Sequence, residues 1–353
     1  MIREKLINQI INNKKAITLD KFIKVCLYDR DGYYSNNDNI FGKSGDFITA
    51  PEISQLFGDI IGLFIYSIWK NKINSPFNLV ELGPGNCTLL IDILKINKKF
   101  FEFQNTLNIK LIEKNKKLIE IQKLKLSENN LINYNINWEK NLDNIPNKPT
   151  IIYANEFFDC LPIKQFKKKN KDWYEKKVNF NIENKNFFIQ DEKISNYKIN
   201  KYLKNQNDQT ILEISKEREN YFDKICKFIK KVTGTAIIID YGYLDIPKNF
   251  TLQSIYNHHK SNVLHNPGKQ DITSLVNFTR FKEIAEKENL EIEYFNTQKN
   301  FLLSNGIIQR KEKIALKCSS KQLKILESGL KRIIANNQMG KIFKCLIVSK
   351  VKL

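Results

Sequence analysis

Apolar residues recur along this chain in two rhythms. Short, nearly unbroken apolar runs occupy 79–83, 108–113, 134–138, 150–155, 235–241, 290–297 and 343–350. Runs of that length, bounded by polar residues, fit strands buried in a sheet. Between them, apolar positions three and four apart predict helices over 86–96, 115–127, 216–232, 277–289 and 320–336. Alternation of this kind implies an α/β fold, a mostly parallel sheet with helices on both faces. Upstream, Leu6, Ile10, Ile17, Phe22, Ile23 and Leu27 predict helices, and Asp29 to Tyr34 reads as a turn. The stretch Phe41 to Ser54 is polar and rich in turn formers. Pro51-Glu52 would then open a helix running to about Lys70. From Gln165 to Gln190 the rhythm changes to aromatics interleaved with polar residues, which predicts an antiparallel insertion ending near Asn207. The expected organisation is a helical segment and lid over 1–75, a first core half over 76–164, the insertion over 165–207 and a second core half over 208–353.

One run ends in chemistry. Leu79-Val80-Glu81-Leu82-Gly83-Pro84-Gly85 is a strand closing on an acid and two glycines, with the apolar stripe Leu89, Leu90, Ile93 and Leu94 following. Gly83 and Gly85 allow a tight turn and close backbone approach to a ligand. A dinucleotide turn would carry a third glycine, but that slot holds Thr88, and Pro84 removes a backbone N–H that a pyrophosphate could use. No Gly-Lys-Ser/Thr follows, which excludes a Walker loop. S-adenosyl-L-methionine has no phosphate to cradle. It needs an acceptor near its amino group, for which Glu81 is placed, and a carboxylate for its ribose. Glu113, at the end of the next predicted strand, stands where a ribose-binding acid is expected. The plain alternative is that both are ordinary strand-end acids.

A second run, Thr150 to Pro162, ends in Asn155, Glu156 and Asp159. In a doubly wound sheet the ligand lies outside the carboxyl ends of the strands at the switch point. Carboxylates there suit a cationic acceptor such as a guanidinium, which they orient by bidentate hydrogen bonds and relieve of a proton. Read structurally, Asn155 and Asp159 would be caps and Glu156 a surface acid. Methylation of a nucleobase is the competing chemistry, with Phe157 and Phe158 stacking on an extruded base. The acids at 156 and 159 favour a cationic protein side chain. A third polar strand end is Asp240-Tyr241-Gly242. The polar, turn-rich segment after it, including His258, reads as a cover for the site.

Composition narrows the picture less. The net charge of +20 invites a nucleic-acid partner. Lysine, asparagine and isoleucine are enriched along the whole chain, however, and the densest basic run, Lys164 to Lys171, lies between two strand-like segments as a solvated hairpin. Six scattered cysteines without a C-x-x-C pair read as reduced thiols, and the three histidines have no cysteine cluster to complete a metal site. No apolar run approaches the roughly 20 residues of a membrane helix, so no membrane insertion is expected. Glu4 near the start does not fit a transit peptide. A cytoplasmic protein is expected.

Taken in order, Gly45-Asp46-Phe47-Ile48-Thr49-Ala50-Pro51-Glu52-Ile53-Ser54, Glu81-Leu82-Gly83-Pro84-Gly85, Asn155-Glu156-Phe157-Phe158-Asp159, Asp240-Tyr241-Gly242 and Met339-Gly340 resemble the MidA family of S-adenosyl-L-methionine-dependent methyltransferases. The resemblance spans essentially the whole chain. It implies a Rossmann-like seven-stranded methyltransferase core with an antiparallel last strand, here 343–350. It also implies symmetric dimethylation of an arginine in a subunit of NADH:ubiquinone oxidoreductase (complex I), or of its bacterial equivalent. The location would be bacterial cytoplasm, or the mitochondrial matrix for a eukaryotic member. Gly83, Gly85, Glu81 and Glu113 would hold the cofactor, and Gly45 to Glu52 would fold over it, with Asp46 and Thr49 available for polar contacts. Glu156, Asp159 and Asn155 would face the acceptor. The chain departs from the family pattern at Asn86-Cys87, where Arg-Gly is frequent, and at Leu275, where a histidine is frequent. A different class of reading is an assembly factor that binds cofactor or client without turnover.

Overall fold

In the computed structural model of the chain, residues 1–36, 49–195, 199, 202, 211–256 and 259–350 are described. They gather into two units. One comprises Met1–Ile40, Phe158–Asn220 and Leu244–Asn277, the other Phe41–Phe157, Tyr221–Tyr243 and Phe278–Leu353.

The larger unit is built on seven strands, β1 (Phe77–Leu82), β2 (Leu107–Ile112), β3 (Ile136–Glu139), β4 (Thr150–Asn155), β5 (Thr235–Tyr243), β6 (Leu290–Thr297) and β7 (Phe343–Lys350). Across the sheet they run β3-β2-β1-β4-β5-β7-β6. The first five are parallel to one another, and β7 is antiparallel to both β5 and β6. Each lies within two residues of its sequence expectation, because a strand buried on both faces must be apolar throughout. All six residues of β1 are buried. The chain order reverses between β1 and β4, so the carboxyl ends of these two strands form the switch point.

The helices around this sheet include α1 (Ala50–Ile53), α2 (Gln55–Ile68), α3 (Thr88–Ile96), α4 (Lys116–Glu128), α5 (Ile307–Ala315) and α6 (Ser320–Ile334). The single helix expected from Pro51 to Lys70 is broken at Ser54, whose φ of −154° is extended. There Gly329 of α6 packs against the break: an added Cβ would lie 2.9 Å from the Ile53 carbonyl oxygen. Helix α3 begins at Thr88 rather than Asn86 because Cys87 is left-handed, with φ of 60°. Gly58 and Gly62, one turn apart on α2, let that helix sink onto α3. A Cβ at Gly58 would come within 2.4 Å of Asp92 Cβ, and one at Gly62 within 2.6 Å of Ile96 Cγ2.

The smaller unit carries the antiparallel sheet. Strand Asp172–Asn181 pairs with Asn186–Ile194 on one side and Lys164–Lys169 on the other, and Ile211–Ile214 extends the sheet beyond Lys164–Lys169. Ile17-Thr18 joins it against Val178 and Lys177. The basic run at 164–171 therefore forms a strand and its turn. Two of its lysines meet acids across the sheet, Lys164 Nζ 3.0 Å from Glu175 and Lys169 Nζ 2.8 Å from Asp191. The expected end of the insertion near Asn207 lies outside the described residues.

The close α2–α3 contact brings two buried acids together. Asp59 accepts from Arg310 Nε of α5 at 2.7 Å, while its Oδ1 and Asp92 Oδ2 have no hydrogen-bond partner. Burial, with Asp59 adding to it, pushes the Asp92 carboxyl up from 3.8 to about 8. Asp59 holds the guanidinium, so Asp92 is the member that keeps a proton. Between about pH 4 and pH 8 the native state holds this proton and the unfolded chain does not, so stability falls as pH rises through that window. Asp92→Asn should flatten this fall. At pH 8 the variant should be more stable than wild type by about 1 kcal/mol or more, roughly 1–2 °C in melting temperature for a chain of this size. Thermal denaturation at pH 5 and pH 8 checks it, and parallel curves for the two proteins would refute it.

Candidate active site

The turn after β1 is held open by backbone geometry. Gly83 and Gly85 have φ of 61° and 51°, and Cys87 follows at 60°. The left-handed region favours glycine, and Cys87 is the exception that accepts the strain. Cys87 N–H donates to the Pro84 carbonyl at 2.7 Å, closing the turn. Beneath it lies Phe157: a Cβ on Gly83 would stand 2.9 Å from the ring.

Glu81 sits at the end of β1, beside Tyr153 of β4 in register. The Tyr153 hydroxyl donates to Glu81 Oε2 at 2.9 Å. Burial pushes the Glu81 carboxyl up to about 8, with this hydrogen bond pulling the other way. Glu113, just past β2, turns Oε1 toward the N–H groups of Lys114 and Asn115, at 2.7 and 2.8 Å. Burial raises its carboxyl as well. Gln122 of α4 ties this corner together. It donates to the Gly85 carbonyl at 2.9 Å and accepts from Trp138 Nε1 at 2.7 Å.

At the end of β4, Glu156 is left-handed with φ of 52°. A non-glycine residue held there marks a position that its surroundings over-determine, as at functional sites. Its carboxylate accepts from Ala50 N–H at 3.1 Å, Asn155 Nδ2 at 3.2 Å and the Tyr241 hydroxyl at 3.3 Å. The acid thus joins the start of α1 to β4 and β5. Glu52 of α1 accepts from Asn86 Nδ2 of the glycine turn at 3.1 Å. Thr49, half-buried, caps α1 with its carbonyl, which accepts from Glu52 and Ile53. Gly45 and Asp46 lie outside the described residues, as does His258.

Asp159 belongs to the smaller unit. It is buried, and its backbone carbonyl accepts from an Arg218 Nη at 2.6 Å and from Ser274 N–H at 3.0 Å. Arg218 also reaches the carbonyls of Ser274 and Leu275. The carbonyl clamp explains why a segment rich in polar and turn residues is nonetheless buried there.

The arrangement within the larger unit fits S-adenosyl-L-methionine on two counts. The glycine turn offers a left-handed backbone and an acid rather than a nest of N–H groups for phosphate. Two buried oxygens around it, Glu52 Oε2 and Asn155 Oδ1, have no hydrogen-bond partner among the described residues. Buried polar atoms are normally satisfied, so these two point to donors supplied from outside the chain. Several contributors escaped the sequence reading. Tyr153 could have been found by aligning 79–83 with 150–155 as neighbouring strands, which sets it beside Glu81. Gln122 and Asn86 carry no local signal, whereas Tyr241 lies in the polar strand end Asp240-Tyr241-Gly242 that the sequence marks.

Comparison with known proteins agrees with this geometry. Residues 60–296 match a family model described as S-adenosyl-L-methionine-dependent methyltransferase. The zebrafish (Danio rerio) protein arginine methyltransferase NDUFAF7, mitochondrial, is 31% identical over 79% of this chain and 70% of its own length. The mouse (Mus musculus) protein of the same name is 29% identical, over 94% of this chain and 81% of its own. A Burkholderia thailandensis protein crystallised with S-adenosyl-homocysteine has the same fold, with a TM-score of 0.88 and 22% identity over 99% of this chain and 92% of that one. With the glycine turn, the switch point and the sheet order in place, the chain belongs to the MidA-like family of S-adenosyl-L-methionine-dependent methyltransferases.

Proposed function

We propose that this protein methylates arginine in a protein acceptor, by symmetric dimethylation, and that the acceptor is a complex I subunit or its bacterial equivalent. The observation that carries the reading is Glu156: a carboxylate fixed by three donors at the end of β4, the strand beside the cofactor turn. Bound S-adenosyl-L-methionine supplies an electrophilic methyl on a sulfonium. The chain's own task is placement, since in-line displacement depends on donor and acceptor geometry. Glu156 orients the guanidinium, and a carboxylate beside the attacking nitrogen accepts its proton. Glu81 and Glu113 hold the amino and ribose ends of the cofactor, and Asn155 and Glu52 use their unpartnered oxygens toward the bound molecules. The relatives' names as protein arginine methyltransferases support this acceptor class. We infer a cytoplasmic location in a bacterium, or the mitochondrial matrix in a eukaryote; among the described residues no helix is long and apolar enough to cross a membrane.

The direct experiment is incubation with radiolabelled cofactor and a lysate, followed by amino-acid analysis of the labelled product. Labelled dimethylarginine is expected. Label in nucleic acid, or none at all, would overturn the reading in favour of a base methyltransferase or a non-catalytic assembly factor. Gly83→Val should weaken S-adenosylhomocysteine binding by at least ~2 kcal/mol in a folded protein, because the side chain strikes Phe157 and strains the turn; calorimetry measures it.

Glu81 adds a pH dependence. Its carboxyl, protonated up to about 8, must ionise to receive a cationic amine. Affinity should therefore fall as pH drops below about 8, with a proton released on binding. Above that, loss of the cofactor's own amino proton, near 7.7–8.0 for an ordinary α-amine, weakens binding again. Glu81→Gln should abolish the acid limb, and a wild-type affinity that is flat from pH 6 to 8 would discard the role. Glu156→Gln should slow methyl transfer while leaving cofactor affinity nearly intact; full activity would remove Glu156 from the acceptor site.

A further inference from the structure

Helices α5 and α6 form a hairpin of unusual composition. Between Ile307 and Ile334 there are eight Lys or Arg and two Glu, a far steeper ratio than the chain's 58 to 38. Of these cations, Arg310 pairs with Asp59 and Lys311 with Glu327. Lys313, Lys317, Lys321, Lys324, Lys331 and Arg332 are exposed, and no acid lies within ion-pair distance of them among the described residues. In the antiparallel sheet, by contrast, Lys164, Lys169 and Lys176 each meet an acid across the strands.

The same hairpin shows bare apolar side chains among its charges. Leu316, in the turn between the helices, is 88% exposed, the most exposed large apolar residue among those described. Ile325 is 63% exposed. Helical spacing places Lys321, Lys324, Ile325, Ser328 and Arg332 on one outward face of α6, opposite the buried Leu330 and Ile333. Leu316 and Lys317 sit at the end where that face begins.

We propose that this surface docks the protein on an anionic lipid bilayer, with Leu316 and Ile325 dipping into the interface and the surrounding lysines meeting headgroup charge. Cations with aliphatic knobs among them are the pattern of interfacial, not spanning, helices. Each Lys or Arg close to an anionic surface is worth about fivefold in partitioning. A handful therefore gives measurable and reversible binding, sensitive to salt. A nucleic acid is the poorer fit. Its backbone has no use for exposed Leu and Ile, and the stripe offers no aromatic on which a base could stack. The inner face of α6 lies on the α1–α2 break through Gly329, so the docked surface is one helix away from Glu52 and the Glu156 contact to Ala50.

The test is co-sedimentation of the full chain with vesicles of phosphatidylcholine alone or mixed with phosphatidylglycerol. Binding is expected only to the anionic vesicles, with release at high salt. The triple variant Lys317→Glu, Lys321→Glu, Lys324→Glu should bind at least tenfold more weakly, and Leu316→Ser severalfold more weakly with no change of net charge. A control with the same net charge change at exposed sites elsewhere, Lys98→Glu, Lys140→Glu, Lys287→Glu, should lose less than twofold. Circular dichroism melts confirm that each variant folds. Equal loss in the two triple variants would reduce the effect to net charge and overturn the proposal. So would absence of vesicle binding by the wild type, or tighter retention on RNA than on vesicles with Leu316→Ser unaffected.

Discussion

Everything at the site follows from burying a carboxyl group at the end of the central strand. Glu81 lies between β2 and β4, and every residue of β1 is out of water. A charge there would cost several kcal/mol without compensation, so the group keeps its proton and leans on Tyr153. The chain must then turn out of the sheet at once, since β1 ends at Leu82. That demand selects Gly83 and Gly85, forces Cys87 into the left-handed region and delays α3 to Thr88. The packing of Phe157 beneath Gly83 binds the β4 exit to the same turn. The two strand ends at the switch point are thus one mechanical unit.

The strands were legible because their burial leaves a one-dimensional trace: an apolar run that must end where water or ligand begins. Seven runs became seven strands, and 216–232 and 343–350 coincide with observed elements. Ends set by a neighbour were not legible. Ser54 breaks a helix because Gly329, far along the chain, brings α6 against the Ile53 carbonyl. The short helices Phe101–Thr106, Gln298–Ser304 and Ile307–Ala315 were not foreseen, since each presents only one or two turns of periodicity. Nor does any local pattern say that Ile17-Thr18 will pair with Lys177-Val178. Residues that carry their own reason in the strand-end pattern, such as Glu81 and Glu156, could be singled out. Gln122, whose role exists only because Gly85 and Trp138 approach it, could not.

Buried acids recur around β1. Glu81, Asp92 and Glu113 all have carboxyls pushed up by burial, in a protein whose net charge is +20. The coincidence has a physical explanation. A strongly basic chain could neutralise an interior acid with lysine, but a lysine so placed would bring a long, flexible stem and a second desolvation cost. In the proposed cofactor-binding role of Glu81 and Glu113, a permanent internal cation would also compete with the cationic amine and the ribose hydroxyls of the cofactor. Leaving those acids to tyrosine and backbone donors keeps them weakly committed, so that a ligand can claim them. Asp92 is different. It faces Asp59 across a helix contact made close by Gly58, and no ligand is needed to explain it. Its raised carboxyl is a cost of drawing α2 tightly onto α3. Similar shifts therefore have distinct origins, and the surroundings distinguish them. The acids at the sheet's carboxyl edge flank a turn with unpartnered buried oxygens nearby, whereas the acid under the helices is enclosed by Gly58, Asp59 and Lys95 of the chain itself.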